Sequence, residues 1–196
     1  MKKDIILAGV GGQGILSIAA SIGLAALKNN LNLKQAEVHG MSQRGGAVQS
    51  HLRLSDQEIA SDLIPFNSAD LILSVEPMES LRYLPFLNKS GWIVTNLAPF
   101  INIENYPAIE KIISEIEKHP SHVLLDANKI AEESGSSKAS NMAMLGAAAP
   151  FINIPMDHFE SGIHKLFAKK GSLVIDINLK AFHAGRDVTL QKLNKK

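Results

Sequence analysis

Residues 5–15 read IILAGVGGQGI, and this stretch decides the fold. The first four residues form a short continuous apolar run, which is typical of a strand buried on both of its faces. Three of the glycines that follow, Gly9, Gly11 and Gly14, stand in the spacing G-x-G-x-x-G between that strand and the start of a helix. Glycines there permit a tight turn and the close approach of a ligand, and the helix start offers unpaired N–H groups to a phosphate. The stretch therefore predicts either a nucleotide site or a turn that serves packing alone.

Strand and helix patterns alternate along the rest of the chain. Short apolar runs predict strands at residues 33–39, 47–54, 71–75, 92–95 and 122–126. Helical spacing predicts helices at residues 15–27, from residue 77 onward, and at 106–118, 127–133, 139–149, 155–169 and 173–184. The alternation implies right-handed βαβ crossovers and a mostly parallel sheet. We therefore expect a three-layer α/β/α fold with a Rossmann-like start and a helical C-terminal portion.

Three finer expectations accompany this fold. Residues 47–54 alternate apolar and polar side chains, which predicts a half-exposed strand at a sheet edge. Residues 173–184 begin like a strand but continue with helical spacing, and we predict a helix there. No linker is long enough to separate two domains, so residues 1–196 are expected to form one domain, with 190–196 as a frayed tail.

The composition excludes several classes of protein. Apolar residues make up 45% of the chain and charged residues 20%, which excludes disorder. Lysines and arginines number 20 against 19 acidic residues, so the net charge of +1 offers no argument for nucleic acid or an anionic membrane as a partner. The chain has no cysteine and therefore holds no iron–sulfur cluster through thiolates. Glycines break the longest uncharged stretch, residues 5–27, so we expect no membrane span and a cytoplasmic location.

A second motif stands at residues 39–46, which read HGMSQRGG. Glycines bracket the segment, so it can bend sharply and present the polar side chains of Ser42, Gln43 and Arg44. The guanidinium of Arg44 could form two parallel hydrogen bonds to a phosphate or a carboxylate. The alternative is an arginine that bonds backbone carbonyls and only shapes the loop beside Gly45 and Gly46.

Other polar residues give weaker signals. Glu37 stands 23 residues after Gly14, near the position where dinucleotide-binding proteins hold a ribose. Asp126 stands at the end of a predicted strand, where it either caps a helix or faces the cleft, and we prefer the helix cap. Asn141, near a predicted helix start, is open to a structural or a binding role. The seven histidines are scattered, so we predict no metal site and no catalytic residue in this chain.

Taken together, the two motifs resemble the gamma-type domain of the 2-oxoacid:ferredoxin oxidoreductases. The version HGMSQRGG is similar to the small (beta) subunit in the indolepyruvate branch of that family. Later segments agree with the resemblance, namely residues 141–147, which read NMAMLGA, and Asn178, Ala181, Phe182 and Gly185 near the end. The resemblance extends over roughly residues 4–185.

The resemblance implies a division of labour between subunits. In that family a large (alpha) subunit holds thiamine diphosphate and decarboxylates the 2-oxoacid, iron–sulfur clusters there or in ferredoxin accept the electrons, and coenzyme A takes the acyl group. This chain would then be the small subunit of an indolepyruvate or related aryl 2-oxoacid oxidoreductase, inactive alone and holding no cofactor by itself. Coenzyme A would be a shared ligand. The resemblance and the two motifs assign the binding residues Gly9, Gly11, Gly12, Gln13, Gly14, Ser42, Gln43, Arg44, Gly45, Gly46 and Asn141.

Two alternatives stay open at this point. A stand-alone nucleotide-binding module or NAD(P)-dependent reductase would bind NAD(P) without a partner and lose it on Gly11→Val. A homo-oligomeric scaffold that has lost its partner would be isolated as a homodimer with no large subunit.

Overall fold

The structure, a computed structural model, describes residues 1–40, 45–101 and 103–195. This part of the chain contains six strands, seven α-helices and four short 3-10 helices. The strands are β1 (Lys2–Val10), β2 (Asn32–His39), β3 (Ala47–Ser55), β4 (Ala69–Ser74), β5 (Leu87–Asn96) and β6 (His122–Leu125). The helices are α1 (Ile15–Lys28), α2 (Pro77–Arg82), α3 (Ile109–Glu117), α4 (Ala127–Ser134), α5 (Ser140–Ala148), α6 (Met156–Phe167) and α7 (Ser172–Leu193). No helix among these residues is long and apolar enough to cross a membrane.

The strands form one sheet in the order β2-β3-β1-β4-β5-β6. β1 pairs in parallel with β4, β4 with β5, and β5 with β6, whereas β3 runs antiparallel to both β1 and β2. Five of the described strands therefore share one direction and β3 opposes them, which confirms the mostly parallel sheet.

The predicted edge position of residues 47–54 is wrong, because β3 lies between β1 and β2. Two of its polar side chains are bonded inside the protein. Arg53 donates to the Asp4 carboxylate over 2.8 Å, and the Asp4 side chain is 1% exposed. Nδ1 of His51 accepts the Ile64 N–H over 3.0 Å, and burial, with the nearby Arg53 charge, lowers the pKa of this imidazole. Alternation in this strand reflects internal partners, and the edge strand on this side of the sheet is the half-exposed β2.

Two apolar cores lie on opposite faces of the sheet. Ile5 and Leu7 of β1 join the core formed with α1, α4, α5, α6 and α7. Ile6 and Ala8 face the other way, into a smaller core with Ile112 and other apolar residues of α3. Successive side chains of a strand point to opposite faces, so β1 has to be apolar on both. This arrangement confirms the three-layer α/β/α prediction.

Helices α5 and α7 cross at backbone distance. A Cβ atom added to Gly146 would lie 1.8 Å from the Phe182 carbonyl oxygen, and one added to Gly185 would lie 1.9 Å from the Ala143 carbonyl oxygen. Further along α7, the Thr189 hydroxyl donates to a carbonyl of α5 over 2.7 Å. The helix predicted at 173–184 is thus confirmed, but it continues to Leu193, so the frayed tail predicted from residue 190 is wrong for 190–193. Packing of the later turns on α5 explains the difference.

The segment between β5 and α3 is anchored by one buried carboxylate. Glu76 is 0% exposed, it caps α2 by accepting the Glu79 N–H over 2.9 Å, and it accepts the hydroxyl hydrogen of Tyr106. Burial and this carboxylate together raise the pKa of Tyr106 above its ordinary range. The helix predicted from residue 106 therefore begins only at Ile109, because Tyr106 is held outside it and Pro107 follows.

Gly146→Ala is expected to lower the free energy of unfolding by about 3 kcal/mol or more, because neither helix backbone can move aside for the new methyl group. Urea unfolding followed by circular dichroism measures the change. Gly23→Ala in α1 is the matched control: its Cβ would only touch Leu33 at 3.4 Å, so it should leave stability unchanged or raise it slightly. Equal stability of the Gly146 variant and the wild type would contradict the close crossing.

Tyr106→Phe is expected to lower the free energy of unfolding by about 1–3 kcal/mol, because the buried Glu76 carboxylate loses a donor. The same urea titration measures it. Tyr83→Phe serves as control, since Tyr83 is buried in the smaller apolar core and its ring, which lies beside Phe86, keeps that contact without the hydroxyl. If Tyr106→Phe lowers the free energy of unfolding no more than Tyr83→Phe does, the contact between Tyr106 and Glu76 contributes nothing to stability.

Candidate functional site

The glycine turn follows β1, which has β3 and β2 on one side in the sheet and β4 on the other. From β1 the chain passes through α1 to β2 on one side, whereas β4 lies on the other side of β1. The crevice between the carboxyl ends of β1 and β4 is therefore a topological switch point, the place where open α/β sheets bind ligands.

The backbone of the turn adopts conformations that favour glycine. Gly12 has φ +99° and Gly14 has φ +81°, both in the left-handed region. Gly9 has no room for a side chain, because an added Cβ would lie 2.4 Å from Cγ2 of Val75. Gly14 caps α1 without a side-chain hydrogen bond. The Ser17 N–H donates to the Gly14 carbonyl over 3.0 Å, which leaves the N–H groups of Ile15 and Leu16 at the start of α1 for an anion.

The side chain of Gln13 ties the two strand ends together. Its Oε1 accepts the Val10 N–H over 2.8 Å, and its Nε2 lies 3.5 Å from the Val75 carbonyl oxygen. The sequence predicts Gln13 as a binding residue. In the structure its carboxamide contacts both strand ends across the switch point. The residue also lines a cleft on each side of this point.

The strand register brings the second motif to the glycine turn. Val10, the last residue of β1, pairs with Ala47, the first residue of β3. Gly46, just before β3, therefore lies beside the turn, and the Gly11 N–H donates to the Gly46 carbonyl over 2.9 Å. Gly45 has φ +79°. The remaining predicted residues of this motif, Ser42, Gln43 and Arg44, lie outside the described residues.

A cleft of about 420 Å³ opens between the glycine turn and the ends of β2 and β3. Gly11, Gly12 and Gly14 line one wall, and Glu37 and His39 line the other. Nε2 of His39 lies 2.5 Å from Oε1 of Glu37. Sequence reasoning singled out Glu37, and it included His39 in the second motif without assigning it a binding role. The available signal for His39 was its position at the carboxyl end of β2, which lies at the same end of the sheet as the carboxyl end of β1.

Asn141 supports the turn from the opposite side. It lies in the first turn of α5, is 8% exposed, and places Nδ2 3.5 Å from the Gly14 carbonyl oxygen. Its Oδ1 is buried and has no hydrogen-bond partner among the residues the structure describes. The structure therefore brings Asn141 to the predicted glycine turn, 127 residues away in sequence.

A smaller polar cleft of about 200 Å³ lies on the other side of Gln13. Asn96, Asn128 and Ser140 contribute to its polar lining, and sequence reasoning missed all three. Asn96 directly follows the strand predicted at 92–95, so its position at a carboxyl strand end was the available signal.

Asp126 caps α4 by accepting the Lys129 N–H over 2.9 Å, which confirms its interpretation as a helix cap.

The sheet order departs from that of a standard dinucleotide-binding domain. There the parallel strand next to the first strand leads to the acidic residue that holds the ribose. Here the antiparallel β3 occupies that place, and β2 with Glu37 lies one strand further out. The Glu37 carboxylate already contacts His39 and accepts from Gln35 Nε2 over 3.2 Å. These features make Glu37 a poor partner for a ribose.

Comparison with solved structures supports the fold. A pyruvate oxidoreductase subunit, PORC, from Thermotoga maritima matches with a TM-score of 0.74 and 21% identity, over 95% of this chain and 96% of that one. A 2-oxoglutarate:ferredoxin oxidoreductase from Magnetococcus marinus, solved with 2-oxoglutarate, coenzyme A and succinyl-CoA bound, matches with a TM-score of 0.78 and 21% identity. That match covers 97% of this chain and 31% of the larger one.

Comparison of sequences extends the likeness to the family. The indolepyruvate oxidoreductase subunit IorB of Archaeoglobus fulgidus is 37% identical over 194 residues, which cover 94% of each chain. The family model for pyruvate ferredoxin/flavodoxin oxidoreductase matches residues 4–188, nearly the same span as the resemblance seen in the motifs. The chain therefore belongs to the pyruvate ferredoxin/flavodoxin oxidoreductase family.

Proposed function

We propose that this chain is the small subunit of an indolepyruvate, or related aryl 2-oxoacid, ferredoxin oxidoreductase. The complex converts the 2-oxoacid and coenzyme A into acyl-CoA and carbon dioxide, and two electrons pass to ferredoxin. The observation that carries this proposal is the 37% identity to an indolepyruvate oxidoreductase subunit over almost the whole of both chains. The isolated chain is then inactive.

The chemistry of the chain supports a division of labour with a large subunit. Without cysteine, this chain has no thiolate to hold an iron–sulfur cluster. The clusters therefore belong to the large (alpha) subunit or to ferredoxin, and the proposed division of labour assigns thiamine diphosphate to the large subunit. The cytoplasmic location predicted from the sequence is part of the same proposal, as is the assignment of residues 1–196 to one domain.

The contribution of this chain is to bind part of coenzyme A at the glycine turn. The N–H groups at the start of α1 and the open backbone at Gly12, where an added Cβ would meet nothing within 4 Å, suit a phosphate that approaches closely. A cleft of about 420 Å³ takes a portion of coenzyme A such as its diphosphate, and the large subunit encloses the rest. The protein groups of this chain bind and orient the phosphates. The thiol of coenzyme A, once bound, supplies the acceptor for the acyl group.

Purification of the native chain from its source is expected to recover a large subunit that contains thiamine diphosphate, because the proposed reaction needs both chains. Mass spectrometry of the bound proteins and a fluorescence assay for thiamine diphosphate measure this. Recovery of a homodimer alone would support the scaffold alternative instead, and NADH binding by the isolated chain would support the reductase.

Arg44→Ala is expected to weaken the binding of coenzyme A to the assembled complex about tenfold, because a guanidinium forms charge-assisted hydrogen bonds to a phosphate. Isothermal titration calorimetry measures the affinity. Lys118→Ala is the matched control, since Lys118 follows α3, lines no part of the glycine-turn cleft and is exposed. If the Arg44 variant and the wild type bind coenzyme A with equal affinity, Arg44 is not part of the site.

A further inference from the structure

A cavity of about 350 Å³ lies between the starts of α1 and α5 and the first half of α7. Among its described lining residues only Ser17 also lines the cleft at the glycine turn. The proposed function assigns it no ligand. Its volume falls in the range of small-molecule sites, and its lining combines apolar with polar residues.

The charge of this cavity favours an anion. Lys138 and Lys170 line it, and its described lining includes no aspartate or glutamate. Neither lysine forms an ion pair within the described ranges 1–40, 45–101 and 103–195. The Lys170 ammonium lies 5.4 Å from the centre of the Phe167 ring, beside the apolar wall. A carboxylate can therefore approach two ammonium groups that no described acidic side chain neutralises.

The buried Asn141 carboxamide calls for a hydrogen-bond donor in the same cavity. Asn141 lines the cavity and is 8% exposed, yet its Oδ1 has no partner among the described residues. An unpaired buried acceptor costs free energy that a donor from a ligand would recover. The terminal torsion of asparagine is broad, so the carboxamide can turn its oxygen towards a ligand. The two lysines disfavour an ammonium donor, which leaves a neutral N–H or O–H group.

The rest of the lining combines an apolar wall with the polar residues Ser17, Ser136 and Asn178. Phe167, Val174 and Ile177 line the cavity and suit a flat hydrophobic body. The cavity thus combines an anion site, a partner for a neutral donor and a surface for a ring. We propose that it binds an indole-3-alkanoic acid, with the carboxylate at Lys138 and Lys170, the indole N–H at Asn141 and the ring against Phe167. The choice of indole among such aromatic acids rests on the proposed function.

Calorimetric titration of the full chain with indole-3-acetate tests the proposal, because this acid lacks the 2-oxo group and cannot react. We expect binding in the micromolar to millimolar range. The double variant Lys138→Gln with Lys170→Gln should weaken it about tenfold. Lys169→Gln is the matched control, since Lys169 is exposed but does not line the cavity, and it should bind like the wild type.

Changes in the ligand separate the two polar contacts. Indole-3-acetamide lacks the charge and should bind about as weakly to the wild type as indole-3-acetate binds to the double lysine variant. 1-Methylindole-3-acetate lacks the N–H donor and should bind several-fold more weakly than indole-3-acetate, a preference that Asn141→Ala abolishes. If Asn141→Ala does not fold, the methylated ligand still tests the donor on the wild-type chain.

Two results would overturn the proposal: no binding of indole-3-acetate at millimolar concentration, or equal affinity for the wild type and the double lysine variant. If the wild type binds 1-methylindole-3-acetate as tightly as indole-3-acetate, the proposed role of Asn141 is overturned. None of these results affects the subunit assignment, which depends on recovery of the large subunit. Conversely, binding by a chain that is recovered without a large subunit would sustain the cavity proposal while the proposed function failed.

Discussion

The burial of β1 on both faces is the constraint from which the site follows. Residues 5–8 are at most 1% exposed, and β1 is paired on one edge by β3 and on the other by β4. A strand enclosed in this way can leave the sheet only by a sharp turn. That turn passes so close to Val75 that Gly9 has no space for a side chain. Gly9 therefore serves packing, and the open N–H groups at the start of α1 are a consequence of the same geometry.

The helical C-terminal portion acts as the support of this turn. The glycines at 146 and 185 let α5 and α7 approach at backbone distance, and this crossing fixes the position of α5. Asn141 in the first turn of α5 contacts the Gly14 carbonyl oxygen. A helix pair that is remote from the glycine motif in sequence thus helps to hold the turn in place. It also forms one wall of the cavity that contains Lys138 and Lys170.

In the proposed function, the chain brings donors and cations to its ligand sites and leaves the redox chemistry to its partners. The glycine turn offers backbone N–H groups, and the second cavity offers two lysines. These groups bind and orient anions but transfer no electrons. The proposal that this chain works with a partner subunit agrees with its membership of a family in which the relatives reported above are oxidoreductase subunits.

The sequence by itself determined the three layers, the alternation of strands and helices and the glycine turn, because each depends on local periodicity and turn chemistry. Only the tertiary structure decided that β3 lies inside the sheet, where Asp4 and Ile64 satisfy its polar side chains. The delayed start of α3 was likewise decided by the contact of Tyr106 with Glu76. The cavity lined by Asn141 is likewise formed by residues from several separate segments, and no single segment of the sequence predicts it. Such features depend on contacts between residues far apart in the chain, which periodicity within one segment does not contain.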